Sequence, residues 1–354
     1  MTPARIISLF ALLSLSAFAA EYRGSELIGY DHFSEFSKNG KAFLSPIIKP
    51  DLNWNELVLS WNYAGAPEDG ITLETKIVYP DHETAWYCLG KWAAKPGRYP
   101  RESVKKQKDN DARVDTDTLI ATRPGGSLQV RVTFEDGAKI ESLKFLGLSL
   151  CDTTANPEQS PPNKAAWGKS LTVKERSQAN YPEGISSWCS PTSTSMILSF
   201  WSTNLNRLEL DYDVPDVAAA VNDPNWPGTG NWPFNTAFAG SHPGIRAYIT
   251  RLSDVSELEE WIVSGSPVAV SVSYGLLKGR EEKGNGHLVV CTGFTPEGDI
   301  IVNDPGRSHV HQIYTRANLI RAWAESHNTV YLIYPENWKV PSDRFHHWHA
   351  PRSK

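Results

Sequence analysis

The hydrophobic pattern of this chain changes once, across "CDTTANPEQSPPNKAAWGKS" (residues 151–170), and that change limits what the chain can fold into. Before it, from about residue 25 to 151, apolar residues come in short runs such as "ELVLSWNY", "GITLETKIVY", "TAWYCLGKW", "SLQVRVTFED" and "IESLKFLGLSL". These runs alternate or are rich in β-branched and aromatic residues, and Gly, Pro and Asp separate them. The pattern predicts an all-β sandwich or jelly roll over residues 20–151. The basic stretch "RESVKKQK" (101–108) reads as a solvated loop. Residues 152–166, rich in Pro, Asn, Ser and Thr and without periodicity, read as a linker.

After the linker the period lengthens. "PTSTSMILSFW" (191–201) is helical in pattern, with Met196, Ile197, Phe200 and Trp201 on one face. "VSELEEWIVSG" (255–265) is a second helix, capped by Ser253 or Asp254 and ended by Gly265. The strands "PVAVSVSY", "GHLVVCTGF", "DIIVNDPG" and "TVYLIYP" follow. Helices packed on a later antiparallel sheet make an α+β domain over residues 167–340. With 354 residues, two domains are the natural expectation, and the linker places the boundary. Two separately folded units would survive proteolysis at 152–166 as two fragments. Residues 341–354, with three histidines, read as a solvated or weakly packed tail.

The first twenty residues stand apart. Arg5, an apolar run from Ile6 to Leu15 and the small-x-small site Ala17-Phe18-Ala19 have the form of a cleaved export signal over residues 1–19. The run is too short for a stable membrane anchor, and no second long apolar segment follows, so no transmembrane anchor is expected. The mature chain is therefore expected in a periplasm or outside the cell. A formal net charge of -5 supplies no basic field for nucleic acid. Export permits disulfides, and Cys88–Cys151 is one pairing, with two free buried thiols as the alternative.

Cys189, in "SSWCSPTSTSM", stands just ahead of the Pro191 helix, where first-turn N–H groups and the helix dipole favour an anion. Ser or Thr would cap a helix better, so the placement tilts toward a nucleophile. A thiol nucleophile needs a base, and the base needs an orienting group. His287 heads the strand "GHLVVCTGF", and "TPEGD" turns the chain back to Asp304. If Phe294 pairs with Asp299 across the four-residue turn Thr295–Gly298, Gly306 falls opposite His287. Asp304 then becomes the diagonal neighbour of His287 on the same face. A slip of one residue would present Asn303 instead. Cys291, on the same strand, reads as packed and inert. An oxyanion needs donors, and the Cys189 N–H and Gln178, in "ERSQANYPEG", are the candidates.

The order Gln … Trp-Cys-x-Pro-x-Ser … Gly-His-x-x-Val … Val-x-Asp-Pro over roughly residues 170–335 resembles the peptidase family 39 branch of the papain-like cysteine peptidases. The resemblance implies a papain-like fold, with Gln178 at the oxyanion, Cys189 as nucleophile, His287 as general base and Asp304 orienting it. Two departures stand out. Ser190 occupies the position after the cysteine where the family usually has Gly, and "ANYPEGISSW" lengthens the interval from Gln178 to Cys189.

Other clusters stay bland. His309 and His311 have a metal-ligand spacing without partners, and no HExxH, CxxC pair or phosphate loop occurs, so no cofactor or metal is expected. Trp226, Trp232 and Phe234, in "NDPNWPGTGNWPFNTAFAG", suit a loop bordering a cleft or one stapled down by its aromatics. The sequence thus predicts an exported thiol hydrolase acting on a peptide, protein or cell-wall peptide. The alternatives are a catalytically silent envelope-binding protein on the same fold, or a thiol acyltransferase or cell-wall amidase.

Overall fold

The computed structural model describes residues 23–349 except 96, 98, 136 and 227; the expected export signal lies outside the described residues. Among the described residues, the N-terminal half contains ten strands: β1 (Ser25–Tyr30), β2 (Ser37–Asn39), β3 (Ala42–Leu44), β4 (Glu56–Tyr63), β5 (Gly70–Val78), β6 (Tyr87–Ala93), β7 (Ala112–Asp115), β8 (Thr118–Ala121), β9 (Ser127–Glu135) and β10 (Leu143–Cys151). They form two five-stranded antiparallel sheets, ordered β1-β10-β4-β8-β7 and β2-β3-β9-β5-β6. Trp61 meets Trp92, and Tyr63 meets Phe134, where the sheets face each other. β5 and β9 alternate between buried and half-buried residues, as strands with one wet face do. β4 does not alternate: it is buried from Leu57 to Tyr63. Its second face must therefore be covered.

The C-terminal half covers it. This half comprises α1 (Cys189–Leu205), α2 (Val214–Val221), α3 (Trp232–Gly240), β11 (Ile245–Arg251), α4 (Val255–Val263), β12 (Val268–Ser273), α5 (Tyr274–Leu277), β13 (Gly286–Phe294), β14 (Ile300–Asn303), β15 (His311–Tyr314), α6 (Arg316–Ala324) and β16 (Thr329–Pro335). One antiparallel sheet runs β11-β16-β12-β13-β14-β15. α1 is buried from Ser190 through Ser202, more than the single apolar face expected of it. Its serines and threonines let neighbours approach every side, and Ser193 Oγ donates to the Leu288 carbonyl at 3.2 Å. Asp254, not Ser253, caps α4 by accepting from Ser256 N–H. α3 forms from residues expected to be loop, with Asn231 as its cap and Pro233 in its first turn.

The seam between the halves rests on an exchange at a sheet edge. β11 is the outermost strand, and its free backbone groups need partners. Asn62 supplies two: Nδ2 donates to the Ala247 carbonyl at 2.6 Å, and Oδ1 accepts from Ala247 N–H at 3.1 Å. Two residues on, Ile249 N–H donates to Ser60 Oγ at 2.9 Å. Trp61 lies between these two residues in β4, and its ring packs with Phe234 and Trp92 in one aromatic cluster.

Five expectations are corrected by the structure. The linker is docked, because Ser160 N–H donates to Asp254 and Asn163 N–H to Glu259. Two independently folded fragments do not follow, since one continuous core joins the halves. The stretch 101–108 is not simply solvated: Arg101 is buried on the Trp92 ring and donates to the carbonyls of Ala93, Ala94 and Ala220. The tail is packed through residue 349, with His347 and Trp348 buried and Leu27 N–H bonded to the His346 carbonyl. Cys88 and Cys151 are free, buried thiols, the alternative to their pairing.

Asn62→Ala should strip two buried backbone groups of partners and destabilise the protein by about 2 to 4 kcal/mol. Chemical denaturation should show one cooperative transition for both halves, shifted to lower denaturant in the variant. Two resolved transitions, with only one moved, would contradict the shared seam.

Candidate active site

Cys189 is the first residue of α1, and the turns of residues 181–187 deliver it there. Gly184 makes this approach possible. A Cβ on it would meet the Trp188 ring at 2.2 Å, and the Trp188 N–H donates to the Gly184 carbonyl. The interval between Gln178 and Cys189 is thus a compact run of turns. Ser190 fits where glycine was expected: it is buried, and its hydroxyl lies 3.3 Å from the Tyr331 hydroxyl.

The Cys189 thiol is half-buried, and the His287 ring and the N–H groups of Leu288 and Ser190 all favour its thiolate. Burial alone would raise its pKa. The His287 hydrogen bond and charge, with those two N–H groups, outweigh burial and lower it below the ordinary thiol value. His287, second residue of β13, is itself buried, which disfavours its charge. Asp304 and the Cys189 thiol outweigh that and raise it to about 9. His287 Nε2 lies 2.7 Å from Asp304 Oδ1, which leaves Nδ1 for the thiol.

Asp304 is held as a carboxylate by everything around it. Burial would raise its pKa, but His287, the Tyr314 hydroxyl and the Gly306 N–H hold it below the usual carboxylate range. Tyr314 donates to Oδ2 at 2.7 Å, Tyr274 to Oδ2 at 3.1 Å, and Gly306 N–H to Oδ1 at 2.9 Å. Tyr274 also stacks on the imidazole, with ring centroids 4.0 Å apart and planes 30° from parallel. Asn303 faces the other way, and its Nδ2 donates to the Val173 carbonyl at 3.1 Å.

The register that selects Asp304 is reached differently from the expectation. Phe294 pairs with Ile300, not Asp299, so the hairpin closes over residues 295–299. Gly293 pairs with Ile301, whereas Cys291 pairs with Val302 and Val290 with Asn303. Thr292 is the extra residue of a bulge, and it absorbs the longer turn. Beyond the bulge the pairing is the expected one, with Asp304 on the His287 face.

Gln178 stands elsewhere than expected. Its backbone N–H donates to the Pro305 carbonyl at 3.0 Å, which keeps it beside the Asp304 turn. Its Nε2, however, donates to the Ile185 carbonyl at 2.8 Å. One amide hydrogen is therefore committed, and Gln178 is not among the residues lining the cleft at the thiol. The structure thus gathers Cys189, His287 and Asp304 and leaves Gln178 at their margin.

The thiol opens into a cleft of about 430 Å³. Trp226 and Trp232 line it, while Phe234 is buried in the seam, so the aromatic loop both borders a cleft and staples itself down. Sequence reasoning missed Tyr274 and Tyr314, which no local motif marks. It also missed Asp115, Thr116 and Asp117, which bring the N-terminal half into the cleft wall. Cys291 is fully buried, and burial pushes its thiol far above the ordinary range.

Comparison with known proteins bears on this arrangement. Residues 170–331 match the Peptidase_C39 like family, and residues 38–144 match the Peptidase C39 N-terminal domain. Among solved structures, a candidate C39-like peptidase from Bacillus anthracis aligns over 51% of this chain and 100% of its own, at 14% identity and a TM-score of 0.34. That likeness is too slight to bear weight. No curated protein matches the chain. On the two family matches, residues 170–331 form a Peptidase_C39 like domain, with a Peptidase C39 N-terminal domain ahead of it.

Proposed function

We propose that this protein is a thiol hydrolase that cleaves peptide or amide bonds in a peptide, protein or cell-wall peptide. The observation that carries the reading is the convergence of three groups: the Cys189 thiol and His287 line one cleft and act on each other's protonation, and His287 Nε2 lies 2.7 Å from the buried Asp304 carboxylate. His287 takes the thiol proton, and the thiolate attacks the carbonyl carbon. The Cys189 N–H stabilises the oxyanion. The imidazolium then gives its proton to the departing amine, leaving a thioester. Water, deprotonated by His287, releases the acid and restores the thiol. Asp304 orients the ring and offsets its charge, and Tyr274 keeps it from rotating. Residues 1–19 direct export, so the reaction belongs to a periplasmic or extracellular setting.

Incubation with a diverse peptide mixture and cell-wall fragments, read by mass spectrometry, should give products that Cys189→Ala abolishes. Identical products from both proteins would refute the hydrolase reading.

The pH dependence has two limbs. Turnover should rise as pH passes the lowered Cys189 value, below the ordinary thiol range, and fall as His287 loses its proton near 9. Asp304→Asn removes the charge that raises His287, so the falling limb should move to lower pH. A falling limb that stays in place would show that Asp304 does not set the imidazole.

Asp304→Ala should cut kcat at least about a hundredfold, consistent with loss of an oriented acid–base group. Asn303→Ala should leave kcat within a few fold and lower thermal stability, because it strips the Val173 carbonyl of its donor. The reverse pattern would assign orientation to Asn303.

A further inference from the structure

A Cys-His-Asp site selects a bond but no substrate, and the cleft wall contributed by the N-terminal domain narrows the choice. The turn joining β7 to β8 carries Asp115, Thr116 and Asp117 into the cleft that holds Cys189 and His287. It is fastened there: the buried Asp117 Oδ2 accepts the N–H of Trp232, the first residue of α3, at 2.8 Å. The fastening crosses from one domain to the other. The turn is tight, with Thr116 at φ 58 in the left-handed region that β-branched residues avoid.

The charges around this cleft are of one sign. Apart from the Cys189–His287 pair, the charged residues that line it are Asp115 and Asp117. Asp115 is exposed, so its carboxylate is open to a ligand. Burial raises the Asp117 pKa to about 6, against the Trp232 N–H and the Thr118 hydroxyl, so it remains mostly ionised at neutral pH. Trp226 supplies an aromatic face: it is 43% exposed and stands over Gly228 and Gly230, where an added Cβ would come within 3.1 Å of the ring. A carboxylate and an exposed indole in one cleft favour a cation. An anionic substrate group would meet both aspartates and the thiolate.

We propose that the β7–β8 turn is a specificity wall, and that the substrate carries an ammonium group, from a free amino terminus or a lysine-like side chain, seated between Asp115 and Trp226 beside the scissile bond. This rests on the hydrolase reading for the bond cleaved, but not for the charge preference. The N-terminal domain is thereby part of the substrate site, and the seam built on Asn62 holds it in place.

The charge preference is measurable without turnover. Cys189 is the one half-buried thiol, while Cys88, Cys151 and Cys291 are buried. Its modification by trimethylammonioethyl methanethiosulfonate and by the sulfonatoethyl reagent can be followed by intact mass. Each rate is normalised to that of a small free thiol. The cationic reagent should be favoured about tenfold, and Asp115→Asn should reduce that preference about threefold, as expected for loss of one nearby charge. Equal normalised rates, or a ratio that Asp115→Asn leaves unchanged, would overturn the wall.

Peptides then separate the two ammonium sources. Free and acetylated versions of cleaved peptides are compared, as are lysine and norleucine versions. Loss of kcat/KM on acetylation alone assigns the amino terminus, and loss with norleucine alone assigns the side chain. No loss in either pair overturns the substrate class. If no peptide is cleaved at all, the hydrolase reading fails while the reagent ratio still decides the wall.

Discussion

The candidate site depends on one extra residue in one strand. Without the bulge at Thr292, the β13–β14 ladder would carry the pairing of Phe294 with Ile300 straight to His287. Asp304 would then pair with Val290, and its carboxylate would move to the opposite face from the imidazole. A bulge leaves backbone groups without ladder partners, and the segment just after the linker supplies them. Leu171 N–H donates to the Thr292 carbonyl at 2.7 Å, Gly168 N–H to the Phe294 carbonyl, and Phe294 N–H to the Lys169 carbonyl. Gly293 is needed for this approach, because a Cβ there would lie 2.1 Å from the Lys169 oxygen. The segment just after the linker thus helps fix the register of the hairpin that carries Asp304.

A second constraint runs through the seam. An edge strand such as β11 must be covered, and it is covered by side chains of β4 rather than by another strand. Asn62 reproduces with one carboxamide the donor and acceptor that a neighbouring strand would offer. The same packing sets the β7–β8 turn against the first residue of α3 and so puts the N-terminal domain into the cleft wall. Fold stability and cleft shape therefore share one interface.

Much of this was legible in the sequence, and the gaps have physical reasons. Period and punctuation placed the β-rich half, the helix behind Cys189 and the strands after it. His287 and Asp304 could be paired because a hairpin is a local structure. The bulge was not readable, since a turn one residue longer and a bulge of one residue cancel beyond Thr292. Tyr274 and Tyr314 lie on strands and helices whose order in the sheet, β12-β13-β14-β15, no single motif encodes. The docked tail, Arg101 and the Asp115–Asp117 turn were missed for a related reason. Each is a polar stretch whose partner lies in the other half of the chain. Gln178 shows the converse: it lies beside the Asp304 turn, but its bond to Ile185 depends on how the intervening turns fold.

The central claim is that Cys189 and His287 exist as a thiolate–imidazolium pair held by Asp304. The 15N chemical shifts of the His287 ring report its protonation directly. At neutral pH both nitrogens should show the protonated imidazolium signature, with a titration midpoint near 9 that moves down in Cys189→Ala. A neutral His287 at pH 7, titrating near the ordinary histidine value whether or not the thiol is present, would contradict the account.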